Sequence, residues 1–539
     1  MRICIFKLTA VVPTLLVFTR CVCRTNMILE AVDQFAPQSA FQMLMSVVVC
    51  TFLVWYAQYH WNRRRLYRMA SKFDGPMCLP FIGNGLYFVG STRDILHNVM
   101  SVVSDFKLPV RVWLGQKLFY GVVDPEHLEI IMNSPHALEK DELYQYAEPV
   151  VGTGLFTAPV SKWKRHRKII MPTFNQRILD EFVPVFVERS TILVDQLKNE
   201  VGKGSFNIFH YVSRCTLDII CETAMGVTVE AQTKYSDYVQ WANKAMEVIF
   251  TRMFNVWYHN EFIFNLSQSA REFQDVNTKM KAFTGTVVKE KREAYQRKRR
   301  EQRNLPEGYV EPPTRNTFLQ QLIELSEHGA HFTDEELREE VDTFMVAGSE
   351  TTASMNSFIF IMLGMYPDVQ ERVYQEVVDV LGPDRAVEVD DLGRFHYMER
   401  VMKETMRVFP VGPVLVRAVT KDIQLENCVI PGGSSVAMVV IKTHRNEKYW
   451  PQPFRFDPDR FLPEEVAKRH PYAWLPFSGG PRNCVGPRYA FTAMKSLIAT
   501  VVRKYKFSTD YNCIEDIKLK ADLVLKPVNG YNVSVKLRE

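Results

Sequence analysis

Near the C-terminus, Phe477-Ser478-Gly479-Gly480-Pro481-Arg482-Asn483-Cys484-Val485-Gly486 presents one cysteine in a short glycine-rich loop that leads into a predicted helix from Tyr489 onward. Gly479 and Gly480 let the backbone bend where side chains would clash, and Gly486 leaves room for a flat group close to the sulfur. Arg482 adds positive charge. A cation and backbone N–H groups beside a cysteine favour its thiolate, the form that ligates a metal. The plainer alternative is a buried cysteine in a tight turn.

Three further sets of residues could do chemistry or position it. Ala347-Gly348-Ser349-Glu350-Thr351-Thr352 places an acid beside an alcohol. Gly348 removes a side chain, and a Thr351 hydroxyl bonded back to the helix carbonyls would loosen the turn and admit a water, so the pair could relay protons. A plain core helix is the alternative. Trp163 and Arg167 stand four apart on one helix face, where an indole N–H and a guanidinium could reach the same carboxylate; the alternative is a solvated basic face. Glu404 and Arg407, at i and i+3, could be a surface salt bridge worth little.

The elements that must carry these residues are mostly helical. Thr333-Asp334-Glu335-Glu336 is a capping box opening a long helix, along which Val341, Phe344, Met345, Gly348, Thr352 and Met355 recur on one face. Val110–Trp113 and Leu118–Val123 predict a hairpin around Gly115-Gln116, with Asp124-Pro125 starting a helix. Arg177 to Gln302 is helical almost throughout, and its charge-dense run from Lys289 to Arg303 fits a solvated face. A helix ends at Pro410. Strands are predicted at Ile423–Leu425 and Ser435–Ile441, and a C-terminal hairpin at Leu523–Lys526 and Asn532–Val535 around Asn529-Gly530. The expected fold class is mostly α with a small β-rich region.

Upstream, residues 1–26 form an apolar, signal-like segment of uncertain role, and residues 41–60 have the length and composition of a transmembrane anchor. Residues 61–84 supply a basic flank (Arg63, Arg64, Arg65, Arg68) and a proline-rich hinge, and 85–539 form one folded domain. The positive-inside bias places that domain in the cytosol. A net charge of +5 over 539 residues is too small to suggest nucleic acid. The ten cysteines show no repeating spacing, so no disulfide framework is implied.

In chain order, W-x-x-x-R at Trp163 and Arg167, the acid–alcohol helix, E-x-x-R at Glu404 and Arg407, P-x-R-F at Pro458-Asp459-Arg460-Phe461, and F-x-x-G-x-R-x-C-x-G from Phe477 to Gly486 resemble the cytochrome P450 family over nearly all of the chain after Gly75. The resemblance implies the cytochrome P450 fold, with haem b between the long helix and the cysteine loop. Cys484 would ligate iron, and Trp163, Arg167, Arg417 and Arg482 would reach the haem propionates. Gly348, Phe477 and Gly486 would line the haem, and Glu350 and Thr351 would deliver protons to bound dioxygen. Glu404, Arg407 and Arg460 would be structural. The implied reaction inserts one oxygen atom of O2 into a C–H bond of a small lipophilic substrate, a fatty acid, a terpenoid hormone or a foreign lipophile. NADPH would supply electrons through a flavoprotein reductase, because the chain has no flavin or dinucleotide fingerprint, and cytochrome b5 is a second candidate donor. The setting would be the endoplasmic reticulum membrane, in contact with its lipid.

Two alternatives stay open: a haem-thiolate isomerase or dehydratase acting on peroxides, against which Thr351 argues, and a non-catalytic haem-binding membrane protein. Arg214 to Gly226, Gly152 to Leu155 and Val341 to Met345 resemble the microsomal fatty-acid ω-hydroxylase branch, which has many insect members. Many members of that branch tie haem by an ester from an acid three positions before the relay acid. Here that position is Ala347, so apart from the Cys484–iron bond the haem should be held non-covalently. Helical spacing puts residue 347 on the same face as Glu350 and Thr351, looking toward the haem.

Overall fold

A computed structural model of the protein describes residues 40–234, 236–302 and 317–538, so the apolar segment at 1–26 lies outside the described residues. The chain forms two compact units that part between residues 69 and 70. In the first, helix α1 (Ala40–Ala70) contains the predicted span and continues through the four arginines. From Phe41 to Ala70 it is long and apolar enough to cross a membrane.

In the second unit the proline-bearing segment lies along strand β1 (Val110–Leu114). Arg111 N donates to Asp74 O at 2.8 Å, and Trp113 N donates to the Asn84 side chain at 2.8 Å. Helix α2 (Thr92–Asp105) opens on a Ser91–Asp94 capping box. β1 pairs antiparallel with β2 (Lys117–Val122), as the hairpin signal predicts, and helix α3 (Pro125–Asn133) starts on the Asp124 cap with proline at its first position. Helices α4 (Val160–Ile170), α5 (Val183–Leu197), α6 (Phe209–Ile220), α7 (Tyr238–Phe254) and α8 (Gln268–Gln302) follow, interrupted by the short strand β3 (Phe206–Asn207).

Helix α9 (Asp334–Met365) runs through the core. Its Thr333–Glu336 capping box forms as predicted, and Phe358 to Leu363 are buried all round, as in a helix with neighbours on every side. A Cβ at Gly348 would stand 2.6 Å from Ile220 Cδ1, so the glycine lets α6 approach closely. The turn around Gly348 and Thr351 stays regular α-helix, contrary to the expected loosening.

After α10 (His396–Val408) come β4 (Leu415–Ala418), β5 (Ile423–Gln424), β6 (Val429–Ile430) and β7 (Ser435–Met438). β7 pairs parallel with β2 and antiparallel with β4, giving a sheet ordered β1-β2-β7-β4. The strand predicted over 435–441 stops at Met438, where the chain turns into a short helix at Val440–Thr443. Beyond the cysteine loop lie α11 (Pro487–Val502), β8 (Tyr505–Ser508), β9 (Leu519–Asp522), β10 (Val524–Pro527) and β11 (Asn532–Leu537). The predicted C-terminal hairpin is not formed. β10 pairs with β9, while β11 pairs with β8 and β3, so the Asn529-Gly530 turn passes the chain from one sheet to another.

Candidate active site

The cysteine loop is pinned before it reaches Cys484. Ser478 and Gly480 take left-handed φ of 64° and 67°, and a Cβ at Gly480 would lie 2.2 Å from Met132 O in α3, which explains the glycine. Cys484 N donates to Phe477 O at 3.0 Å, closing the loop, and Gly486 N donates to Cys484 Sγ at 3.3 Å. Gly486 leaves its side open, with Phe174 Cε1 at 3.9 Å the nearest atom to an added Cβ. The sulfur is exposed only to an interior cavity. Burial pushes its thiol up, opposed by the Gly486 N–H, the Arg167 charge and the Val485 N–H.

The cation beside the sulfur is therefore Arg167 and not Arg482. Arg167 donates to Asn483 O at 2.7 Å and Oδ1 at 2.5 Å, tying α4 to the cysteine loop, while Arg482 turns away to donate to Leu138 O at 2.7 Å and to Ala158 O. Arg482 and Arg167 lie 5.1 Å and 5.7 Å from the ring centre of Trp163, which is buried between the two groups.

Arg482 instead belongs to a cluster of cations. Arg417, from β4, reaches only carbonyls at 3.5 Å, and Lys140 packs over the rings of Tyr144 at 4.2 Å and Phe156 at 4.6 Å. Burial and the two arginines hold the Lys140 ammonium well below the usual lysine range; burial and Arg417 hold Arg482 down to about 10. Arg482 Nε is buried without a partner. Converging, under-satisfied cations suit a planar group carrying carboxylates at one edge. The residues present thus fit haem, with Cys484 as its ligand and Lys140 as a cation the sequence did not reveal. Lys140 sits in the irregular stretch between Ala137 and Ser161, where no periodicity assigns a face.

Across the cavity from Cys484 lie Ala347, Gly348, Thr351 and Thr352 of α9. The Thr351 hydroxyl donates to Ala347 O at 2.6 Å, the back-bond expected of a helical threonine. Glu350 is not in the cavity wall. It is buried on another side of α9 with its carboxylate 2.6 Å from Lys526 Nζ in β10. The expected common face for 347, 350 and 351 therefore holds for Ala347 and Thr351 only. Glu350 stands one residue, about 100° of helix rotation, from Thr351.

Glu404 and Arg407 are fully buried, not a surface pair. Arg407 donates from Nε at 2.7 Å and from its terminal nitrogen at 2.8 Å, a bidentate match. Glu404 also accepts from Asp457 N at 3.0 Å, and Arg460 Nε lies 3.5 Å away. Arg407 donates to His444 O at 3.1 Å, and the His444 ring accepts from Leu475 N at 2.7 Å, two residues before Phe477. The network thereby fixes the approach to the cysteine loop. Burial beside Arg407 holds His444 down to about 3, so it is neutral and able to accept. Nothing in the sequence around His444 marks this role.

A cysteine loop that shares a cavity with a threonine-bearing helix, with under-satisfied cations packed behind Phe156 of its lining, defines a haem-thiolate protein. The comparisons with known proteins agree. Residues 74–535 match the family profile described as Cytochrome P450. The chain is 34% identical over 522 residues to Cytochrome P450 4c3 of Drosophila melanogaster, covering 95% of this chain and 96% of that protein. It is 36% identical over 499 residues to Cytochrome P450 4c21 of Blattella germanica (92% and 99%), and 32% identical over 472 residues to Cytochrome P450 4V2 of Homo sapiens (85% and 88%). The chain belongs to the cytochrome P450 family and is a haem-thiolate monooxygenase, an oxidoreductase that binds haem b through a cysteine–iron bond. The bound haem supplies the iron at which O2 is activated, and thiolate ligation favours O–O cleavage.

Proposed function

We propose that this monooxygenase hydroxylates an aliphatic C–H bond of a long, lipophilic substrate, with a fatty acid as first candidate and terpenoid hormones and foreign lipophiles next. The observation that carries this is the composition of the cavity wall opposite Cys484. The cavity that Cys484 and Thr351 share is lined mainly by carbon, Ala347, Met355, Val411 and Leu415 included, with no Asp, Glu, Lys or Arg among its lining residues. The wall ranks substrates by apolar fit, and the Thr351 hydroxyl of α9 offers a route for a proton.

Electrons come from NADPH through a flavoprotein reductase, with cytochrome b5 as a second donor. Lys164, Arg165 and Lys168 are exposed on α4, the helix that Arg167 ties to the cysteine loop, and offer an acidic partner a docking surface near the thiolate. The protein sits in the endoplasmic reticulum membrane with its catalytic domain in the cytosol, a topology supported by α1 and the arginines at its C-terminal end. Leu86, Tyr87 and Val89 are exposed, as are Trp257, Phe262 and Ile263, and the Phe88–Phe254 contact at 5.8 Å links the two segments, which offer apolar surface suited to lipid. Two measurements test the proposal. The reduced, carbon-monoxide-bound protein should show a strongly red-shifted Soret band that Cys484→Ser removes, and reconstitution with reductase and a lipid panel should yield hydroxylated product. A full thiolate band without hydroxylation of any lipid would overturn the substrate class.

A further inference from the structure

Glu350 has the composition of a proton-relay acid and the position of something else. On α9, Ala347, Gly348, Thr351 and Met355 face the cavity, whereas Glu350 is 3% exposed and faces the C-terminal strands. Its Oε1 lies 2.6 Å from Nζ of Lys526, itself 8% exposed, a buried ion pair. The ammonium also contacts Asn243 Oδ1 of α7 and stands 5.6 Å from the Phe209 ring centre of α6. Lys526 is therefore gripped from α6, α7 and α9. Among the described residues it is the one cation at ion-pair distance from Glu350. The remaining ionisable groups here are Tyr531, whose phenol burial pushes well above its usual range, and Asp522, which pairs with Lys520 at 2.9 Å.

We propose that Lys526 is a positioning residue for Glu350, holding the relay acid as a buried carboxylate beside the cavity wall until a proton arrives. The inference rests on the monooxygenase reading, in which Thr351 passes protons into the cavity. A buried carboxylate stays ionised only while a counter-charge compensates its lost hydration. Lys526 supplies that charge, so Glu350 takes one proton from solvent, gives one toward Thr351 and returns to the carboxylate it began as. Asn243, by holding the ammonium, links this poise to α7.

The test removes the cation. In Lys526→Met the unpaired carboxylate should take up its proton at neutral pH, giving an infrared band of a protonated carboxyl that is absent from Lys526→Met/Glu350→Gln. Product formed per NADPH, followed against pH, should shift its acid limb upward by at least about one pH unit. Lys526→Arg should restore the original profile, and the shift should vanish in a Glu350→Gln background. If Lys526→Met fails to hold haem, its rescue by the added Glu350→Gln change is the expected signature of the pair. An unshifted profile without the infrared band, a shift that persists in Glu350→Gln, or failure of both the single and the double variant to hold haem overturns the proposal. Loss of the thiolate band in the unaltered protein would instead strike the haem-thiolate reading.

Discussion

Arg407→Met removes one half of an ion pair from which water is wholly excluded. Glu404 would keep the Asp457 N–H at 3.0 Å and the Arg460 guanidinium at 3.5 Å, but lose both short bonds at 2.7 and 2.8 Å. Breaking a buried pair from one side costs about 3–5 kcal/mol, because the surviving charge stays buried without its partner. His444 O loses a donor, and Trp450 loses the guanidinium 5.1 Å from its ring centre, so the effect should fall toward the upper end. Pairing Arg407→Met with Glu404→Gln removes both charges and should recover most of the loss, since apolar replacement of a whole buried pair is often close to neutral. The assay follows the thiolate Soret band during urea titration and converts the shift in midpoint with the transition's own slope. Because the network ends at Leu475, the band should fade in the single variant before bulk helix is lost. A cost below about 1 kcal/mol, the value of an exposed pair, would refute the argument.

Thr351→Ala should retain haem and divert electrons to hydrogen peroxide, so product per NADPH falls several-fold; an unchanged ratio would leave the hydroxyl as packing. His444 ties stability to pH: its folded value is about 3 against 6.5 unfolded, so its contribution is whole above 6.5. As pH falls below that, the unfolded chain binds a proton the folded one refuses, and stability drops by up to about 1.4 kcal/mol per pH unit; His444→Gln should flatten this slope between about pH 6 and 5. Haem should elute apart from the polypeptide in acid-denaturing chromatography, because Ala347 faces the cavity without a carboxylate, whereas Ala347→Glu should create partial attachment after turnover. The sequons Asn265-Leu266-Ser267 and Asn532-Val533-Ser534 should stay unglycosylated in the cytosol, which a deglycosidase mobility shift would contradict.

What could be foreseen from sequence divides by the range of the interaction. The Thr333 capping box, the Asp124 cap and the β1–β2 hairpin are each decided within a few residues, and all three form as predicted. Motif order was enough to bring Cys484 and Thr351 to one cavity, Arg417 and Arg482 into one cation cluster, and Glu404, Arg407 and Arg460 into one network. The failures share one cause: a side chain's direction is settled by what packs against it. Arg167 donates to Asn483, a partner that a loop over three hundred residues away carries past it and that no local pattern names. Asn529-Gly530 makes a turn, but partners at β8 and β9 decide which strands pair across it. Glu350 and Thr351 are adjacent in sequence, and adjacency in a helix separates directions by about 100° instead of joining them.

That separation gives α9 two unlike surroundings within a single turn. Toward the cavity it shows Ala347, Gly348 and Thr351, small enough for a flat group and a substrate to approach the backbone. Toward the C-terminal strands it buries Glu350 against Lys526. Charge is likewise segregated: the residues lining the cavity are apolar or uncharged, while Lys140, Arg417 and Arg482 gather beyond them, Lys140 against Phe156 of the lining. Carboxylates of a planar cofactor would find their cations in that cluster, while Cys484 would ligate its metal.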